Sequence, residues 1–87
     1  HQWMAVSNNK VVGYIRILDA EINLMVVKDF QNKGIGSMML SLLENEAKKL
    51  GIHKLIGLVR SNNTSSKKIF ENNNYQLKLF RFEKELD

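Results

Sequence analysis

The sequence predicts one small domain of the α/β (α+β) class, with a mixed, mostly antiparallel sheet and two helices in the order β-β-β-α-β-α-β. The first third of the chain contains three short β-rich segments separated by turn residues. The long segment after Gly34 instead has the apolar period of a helix. A strand then follows that helix, and a strand-helix-strand order implies a right-handed crossover with parallel pairing.

Composition limits the classes of protein. The chain has 87 residues, of which 44% are hydrophobic and 25% charged, as expected for a single small globular domain over residues 1–87. It has no cysteine and only two histidines, His1 and His53, so we expect neither disulfides nor a metal site. No apolar run approaches the roughly 18 residues of a membrane span, and the first residues lack the regions of a signal peptide. We therefore expect a cytoplasmic location and no membrane partner.

The charge favours an anionic partner. The formal net charge is +4 and the pI is about 9.5, which suits either nucleic acid or a phosphorylated cofactor. The basic residues are scattered, which is also typical of an ordinary solvated surface. The first residue is His1 rather than Met, so we expect a fragment, a processed chain or a domain of a longer chain.

The first two β-rich segments predict a hairpin. Residues 3–7 and 11–18 are joined by Asn8-Asn9, a pair that tolerates positive φ. Pairing of Ser7 with Lys10 would set Trp3 opposite Tyr14 as an aromatic cross-strand pair.

A third strand is predicted from Glu21 to Val27, after a turn at Asp19-Ala20. The three segments together predict an antiparallel meander.

A long amphipathic helix follows. Its apolar residues fall at i, i+3, i+4 spacing on one face, and they are Ile35, Met38, Met39, Leu42, Leu43, Ala47 and Leu50. We expect both methionines to fill the core. Glu44 and Lys48 form a favourable i, i+4 pair, and Gly51 suits the C-terminal cap.

The remaining chain predicts three elements. Residues 54–60 form a buried strand, parallel to residues 21–27. Asn63 suits the N-cap of a second helix that continues to Asn73, and Asn74 suits the left-handed conformation after it. Residues 75–82 predict a last strand, with a bulge near Leu79-Phe80 where the alternation slips.

The strand-to-helix turn from Gln31 to Ser37 carries two glycines. Glycine lets the backbone approach a ligand closely, and the free N–H groups of a helix's first turn attract phosphate. The turn therefore predicts a pyrophosphate cradle, although the same spacing also occurs where two helices simply pack closely. It is not a Walker loop, because the Gly-x-x-x-x-Gly-Lys-Ser/Thr spacing does not occur. It is not a dinucleotide fingerprint either, because the third glycine would fall at Met39.

This turn resembles the Gln/Arg-x-x-Gly-x-Gly/Ala signature of the GNAT superfamily of acetyl-CoA-dependent N-acetyltransferases, with Gln31, Gly34 and Gly36 in the defined places. A second, downstream pattern of the family is an Asn, a small residue, an aromatic pair and a Gly-aromatic ending. The matching residues here are Asn63, Ser66, Ile69-Phe70 and Asn74-Tyr75. The resemblance covers nearly the whole chain but lacks the family's N-terminal strand and helices.

The resemblance implies an N-acetyltransferase that moves an acetyl group from acetyl-CoA directly to a primary amine. It implies that backbone groups of Val26 and Val27 meet the pantetheine arm, with Asn63 and Ser66 on its other side. Lys67 or Lys68 would reach the nucleotide phosphates. The pyrophosphate would be wrapped by Gln31, Asn32, Lys33, Gly34, Ile35, Gly36 and Ser37.

Of the two catalytic groups that the resemblance implies, a base and an acid, the sequence offers a candidate only for the base. Glu21 matches a glutamate that serves some members as the base, although a strand-end carboxylate in water is the plainer interpretation. Phe70 belongs to the same cofactor site, at the place where many members have a tyrosine that protonates the thiolate, and it has no proton to give.

Three hypotheses follow from these residues. The first is an N-acetyltransferase acting on a small-molecule or protein amine. The second is a module that binds acyl-CoA without turnover. The third is a nucleic-acid-binding module, which lacks an RNP pattern or the Gly-x-x-Gly of KH domains, so no specific nucleic acid is expected. Either a homodimer or a larger parent chain is compatible with the sequence. Sugar amines, polyamines, small antibiotics and protein amines all remain open as acceptors.

Overall fold

The computed structural model describes residues 1–59, 63–77 and 84, and its elements within these residues are seven. They are β1 (Gln2–Ser7), β2 (Lys10–Leu18), β3 (Glu21–Val26), a 3-10 turn (Lys28–Phe30), α1 (Ile35–Lys49), β4 (Ile56–Gly57) and α2 (Thr64–Asn72). The strands form one sheet in the order β1-β2-β3-β4, antiparallel except for the parallel pair β3–β4. The predicted fold class is confirmed. Within the described ranges, neither helix is long and apolar enough to cross a bilayer.

Two tight turns build the antiparallel meander. Asn8 and Asn9 have φ of 50° and 63°, and Asp19 and Ala20 have φ of 50° and 68°. Two successive positive φ values are the geometry of the type I′ turn, whose twist matches that of the strands it joins.

The predicted Trp3–Tyr14 pair is wrong. Ser7 does pair with Lys10, but the register shifts between Ala5 and Val6, so that Trp3 lies opposite Ile15. A one-residue bulge moves every later pair by one position, which places Tyr14 beside Met4 instead.

Helix α1 covers one face of the sheet, but its buried stripe differs from the predicted one. Met39, Leu43 and Ala47 are buried as expected. By contrast, the prediction is wrong for three other residues, because Met38, Leu42 and Leu50 are 57%, 49% and 52% exposed. Leu40, absent from the predicted stripe, is fully buried together with Ile15 and Ile22 of the sheet.

The rotation of α1 has a packing cause. Gly36 is buried against Ile69 of α2, whose Cδ1 occupies the place that a side chain at residue 36 would take. Residues 36, 40, 43 and 47 thus share the inner face, which leaves Met38 and Leu42 toward solvent.

The end of α1 forms the predicted glycine cap. Gly51 has φ of 77°, its N–H donates to the Lys48 carbonyl at 3.1 Å, and the Ile52 N–H donates to the Ala47 carbonyl at 3.0 Å. This pair of bonds is the Schellman motif. Glu44, expected to pair with Lys48, accepts a hydrogen bond from the Tyr75 hydroxyl at 2.9 Å.

Of the predicted strand over residues 54–60, residue 60 lies outside the described residues, and within residues 54–59 the strand is only two residues long. Its bonds to β3 run from Ile56 N–H to the Ala20 carbonyl (2.9 Å) and from Leu58 N–H to the Ile22 carbonyl (3.2 Å). On the face of the sheet, the Phe70 ring of α2 fills the space beside Gly57. Farther along β3, the Ser66 hydroxyl faces the Leu24 carbonyl at 3.5 Å. The pairing is parallel as predicted, and β3 and β4 part beyond Leu58.

Helix α2 begins where the sequence predicts. Asn63 is its N-cap, and the Asn63 side-chain oxygen accepts from the Ser66 N–H at 3.1 Å. Asn74 has φ of 69°, the left-handed conformation expected there. Residues 75–77 are not in a strand, and residues 78–82 of the predicted last strand, with its bulge, lie outside the described residues.

Candidate functional site

A cavity of about 290 Å³ lies between the end of β3, the start of α1 and one face of α2. Half of its lining residues belong to the Gly-rich turn. The lining residues are Val26, Phe30, Gln31, Asn32, Gly34, Ile35, Gly36, Ser37, Ser65, Lys68, Ile69 and Asn72. The structure therefore brings together seven of the residues that the sequence assigned to cofactor binding.

The start of α1 faces this cavity without a cap. Gly34 is the N-cap, with φ of 81°, no side-chain hydrogen bond caps the helix, and its first turn has no acidic residue. The first bond of the helix runs from the Met38 N–H to the Gly34 carbonyl at 3.0 Å. The N–H groups of the first turn of α1 therefore have no partner within the helix. Together with the positive end of the helix dipole, they would attract an anion. Helix α2, in contrast, is capped by Asn63.

Side chains hold the turn in shape. The Gln31 amide nitrogen donates to the Val26 carbonyl at 3.0 Å, which ties the turn to the end of β3. Asn32 adopts a φ of 61°, a conformation that asparagine tolerates better than most residues. The Lys33 ammonium lies 5.2 Å from the centroid of the Phe30 ring, within cation–π distance. Lys33 is thus held near the cavity, although its side chain does not line it.

The two valines at the end of β3 differ in their backbone bonds. The Val27 N–H donates to the Val12 carbonyl, and the Val27 carbonyl accepts from the Phe30 N–H, both at 2.8 Å. Both backbone groups of Val27 are therefore already bonded within the chain. The Val26 backbone groups face the other edge of β3, because successive residues of a strand alternate, and the Val26 carbonyl there accepts from the Gln31 amide nitrogen. Of the two, Val26 lines the cavity.

One face of α2 forms the opposite wall. Ser65, Lys68, Ile69 and Asn72 line the cavity at i, i+3, i+4, i+7 spacing. Of these, only Lys68 was predicted, as an alternative to Lys67, whereas Ser65, Ile69 and Asn72 were missed together with Phe30. Helical spacing counted from Lys68 would have found them.

Besides Val27 and Lys33, four more residues predicted to bind the cofactor lie outside the cavity. Lys67 points away from it and forms a 3.8 Å ion pair with Glu71 on the exposed side of α2. Ser66 and Phe70 are 5% and 6% exposed and lie on the buried face of α2. Asn63 instead lines a shallow, open depression of about 410 Å³, shared with Lys28, Gln31, Thr64 and Ser65, that adjoins the cavity.

Glu21 lies at the other end of β3. It pairs with Leu18 and Ile56, is exposed, and is five residues from Val26, which corresponds to roughly 17 Å along a strand. Between these ends, the edge of β3 is bonded to β4 through the Ile22 carbonyl and to the Ser66 hydroxyl through the Leu24 carbonyl.

Tyr75 carries a hydroxyl close to Phe70 but not to the cavity. Its ring meets the Phe70 ring edge-on, with centroids 5.1 Å apart, and its hydroxyl donates to Glu44. Burial, the hydrogen bond and the charge of Glu44 all raise the pKa of Tyr75 well above its ordinary value. In the part of the chain that the structure describes, no tyrosine lines the cavity, and no group of three His, Cys, Asp or Glu side chains could hold a metal.

The chain is similar to a known protein family and to several solved structures. Residues 1–75 match the acetyltransferase (GNAT) family. A putative acetyl transferase from Pyrococcus furiosus is 25% identical with a TM-score of 0.76, over 98% of this chain and 64% of that protein. A predicted acetyltransferase from Clostridium acetobutylicum, solved with acetyl-CoA, is 21% identical with a TM-score of 0.74, over 97% and 62% of the two chains.

A third similar structure has a more specific description. It is the apo form of an aminoglycoside antibiotic 6′-N-acetyltransferase from Acinetobacter haemolyticus, 16% identical with a TM-score of 0.70, over 99% of this chain and 70% of that one. At this identity the likeness concerns the fold. None of the curated protein sequences matches the chain significantly.

Proposed function

Because the chain belongs to the acetyltransferase (GNAT) family, we propose that it is an N-acetyltransferase that moves an acetyl group from acetyl-CoA to a primary amine by direct transfer. The observation that supports this most is the uncapped start of α1, which faces a cavity at the end of β3, beyond the part of that strand that pairs with β4. A helix start suits the pyrophosphate, and an open strand edge suits the amide groups of a pantetheine arm.

The residues present fit such a cofactor. The pyrophosphate would lie against the N–H groups of Ile35, Gly36 and Ser37, and the pantetheine arm would run from there along β3, past Val26. Acetyl-CoA would supply the activated acyl group as a thioester. Asn63 borders the adjoining depression; its side-chain oxygen serves the helix cap, and its amide nitrogen has no hydrogen-bond partner among the described residues.

Lys68 suits the nucleotide phosphates better than Lys67, since Lys68 lines the cavity and Lys67 pairs with Glu71. We expect Lys68→Met to weaken acetyl-CoA binding by about tenfold, the loss of a charge-assisted hydrogen bond. Lys67→Met is the matched comparison and should have little effect, because an exposed ion pair contributes little. Titration calorimetry on both variants measures this, and the reverse ranking would favour Lys67 as the phosphate ligand.

In the proposed reaction the amine nitrogen attacks the thioester carbon, the carbon–sulfur bond breaks, and coenzyme A leaves as the thiolate. Glu21 is our candidate for the base that takes the amine proton. Its position on β3, toward which the pantetheine arm would extend, supports this role. A thiolate is a good leaving group, so the reaction tolerates the absence of a tyrosine acid at residue 70.

A binding module without turnover is the second candidate. The observation that favours it is Phe70, which is buried and has no proton to give, while the nearby Tyr75 hydroxyl is bonded to Glu44.

Two measurements separate the candidates. Calorimetry with acetyl-CoA tests binding, and thiol release over a panel of sugar amines, aminoglycosides, polyamines and peptide N-termini tests transfer. We expect binding and acceptor-dependent thiol release, reduced at least ~10²-fold by Glu21→Gln if that carboxylate is the base. Binding without release by any amine would favour the module, and no binding would contradict both. The same panel tests whether the acceptor is a small molecule or a protein.

A further inference from the structure

The first turn of α1 is joined to the end of α2 by a side-chain amide. The Asn73 amide nitrogen donates to the Ser37 hydroxyl oxygen at 3.0 Å and to the Ile69 carbonyl at 2.7 Å. A backbone carbonyl only accepts hydrogen bonds, so the atom facing it must be the nitrogen. The Ile69 carbonyl therefore fixes the orientation of the amide, and the second hydrogen of that nitrogen is directed at Ser37.

This arrangement decides what the Ser37 hydroxyl can do. Its oxygen accepts from Asn73, so its own hydrogen remains free to be donated elsewhere. Ser37 lies in the first turn of α1 and lines the cavity beside Ile35 and Gly36. The hydroxyl thereby adds a side-chain donor to the backbone N–H groups at the helix start.

We infer that Asn73 is a positioning residue, which holds the Ser37 hydroxyl as a donor to a phosphate oxygen of the cofactor. This rests on the proposed binding of acetyl-CoA at the start of α1. Asn73 itself does not line the cavity and acts through Ser37. The bond also keeps the end of α2 close to the start of α1, so its hydrogen-bonding role must be separated from a purely structural one.

A double-mutant cycle separates the two roles, with coenzyme A as the probe and calorimetry as the readout. Ser37→Ala should weaken binding about tenfold, as expected for a lost hydrogen bond to a charged group. Asn73→Ala should weaken binding about three- to tenfold. In the Ser37→Ala background the same Asn73 change should have almost no further effect, because the hydroxyl through which Asn73 acts is gone.

A second substitution covers the case in which Asn73→Ala fails to fold. Asn73→Asp keeps the size of the side chain, but its carboxylate accepts, so the Ser37 hydroxyl would donate to it instead of to the phosphate. We expect Asn73→Asp to weaken binding more in the parent than in the Ser37→Ala background, where only its charge and the lost bond to the Ile69 carbonyl act.

The outcomes are distinct. Equal losses from the Asn73 changes in both backgrounds would show a structural or purely electrostatic effect and overturn the inference. Unchanged affinity in Ser37→Ala or in both Asn73 variants would do the same while leaving the proposed function intact. A parent protein that does not bind coenzyme A would remove the proposed function and this inference together.

Discussion

At the scale of single residues, Gly36 serves both the packing of two helices and the lining of the cavity. Its lack of a side chain allows α1 to approach Ile69 of α2, and it also belongs to the turn that lines the cavity. A side chain at residue 36 would meet Ile69 rather than empty space. At Gly34 there is room for a side chain, because nothing lies within 4 Å of a Cβ there. Glycine is favoured at this position by the positive φ of 81° instead.

We expect Gly36→Ala to destabilise the fold by about 1–2 kcal/mol through overpacking against Ile69. Ile69→Val removes the atom that the new methyl group meets, so the double variant should be more stable than the sum of the single changes predicts, by at least about 1 kcal/mol. Urea unfolding measures the coupling. Acetyl-CoA affinity should recover along with stability in the double variant. An affinity that stays low would show that the methyl group itself obstructs the pyrophosphate.

A substitution at Phe70 tests whether the missing proton donor limits turnover. Its ring lies beside Gly57, close to the point where β4 leaves β3. If the protein is an active transferase, Phe70→Tyr should leave acetyl-CoA affinity unchanged and raise kcat by up to ~10²-fold, the low end of general-acid effects. Thiol release at saturating acetyl-CoA compares parent and variant, with Glu21→Gln alongside. Ready turnover by the parent with no gain in the variant would mean that the proton donor lies elsewhere.

Sequence reasoning predicted local features of the site better than distant ones. The turn from Gln31 to Ser37, the Asn63 cap and the left-handed Asn74 depend on neighbouring residues, and each is where the sequence placed it. The choice of Lys68 over Lys67 depends on which face of α2 meets α1, and nothing within the helix itself decides that. The bond from Asn73 to Ser37 spans 36 residues, beyond the reach of local patterns.

At the scale of elements, α1 and β4 show why apolar patterns leave choices open. Helix α1 has apolar residues at both 38 and 42 and at 39, 40 and 43, so two stripes rotated by about one residue satisfy the same period. The contact of Gly36 with Ile69 selects between them. The strand over residues 54–60 has suitable residues throughout, but the Ser66 hydroxyl of α2 bonds the Leu24 carbonyl on the same edge of β3, next to the last pair with β4.

The bond between Tyr75 and Glu44 ties α1 to the segment after α2, and it predicts a pH dependence. The pKa of Tyr75 is raised in the folded protein, so above about pH 10 the unfolded chain loses the phenolic proton while the folded one retains it. Stability should therefore fall as pH rises through that range. In Tyr75→Phe the fall between pH 9 and pH 11 should be shallower, as measured by urea unfolding. Parallel curves for the two proteins would contradict the assignment.

At the scale of the whole molecule, the described residues form a sheet with a helix on one face. On the other face several apolar side chains are exposed, among them Met4, Val6 and Leu18 at 59%, 62% and 65%. The core is correspondingly small, and a chain of 87 residues has only marginal stability to lose. Ligand binding should therefore have a large relative effect on folding.

We expect acetyl-CoA at one hundred times its dissociation constant to stabilise the protein by about 2.7 kcal/mol. For a domain of this size that corresponds to a rise in Tm on the order of 10–20 °C. Thermal unfolding followed by circular dichroism measures the shift, and pantetheine at the same concentration is the matched control, because it lacks the phosphates that α1 would bind. An equal rise with pantetheine would place the binding energy in the arm rather than at the helix start.

The uncapped start of α1 also determines how the protein responds to its buffer. A helix start without a capping side chain or an acidic residue offers the same N–H groups to any small oxyanion. Inorganic phosphate and sulfate should therefore compete with the cofactor at this position, whereas chloride at equal ionic strength should compete much less. The apparent dissociation constant for acetyl-CoA would then rise in proportion to the sulfate concentration, and the affinity found in a phosphate buffer would understate the one that the protein has in its absence.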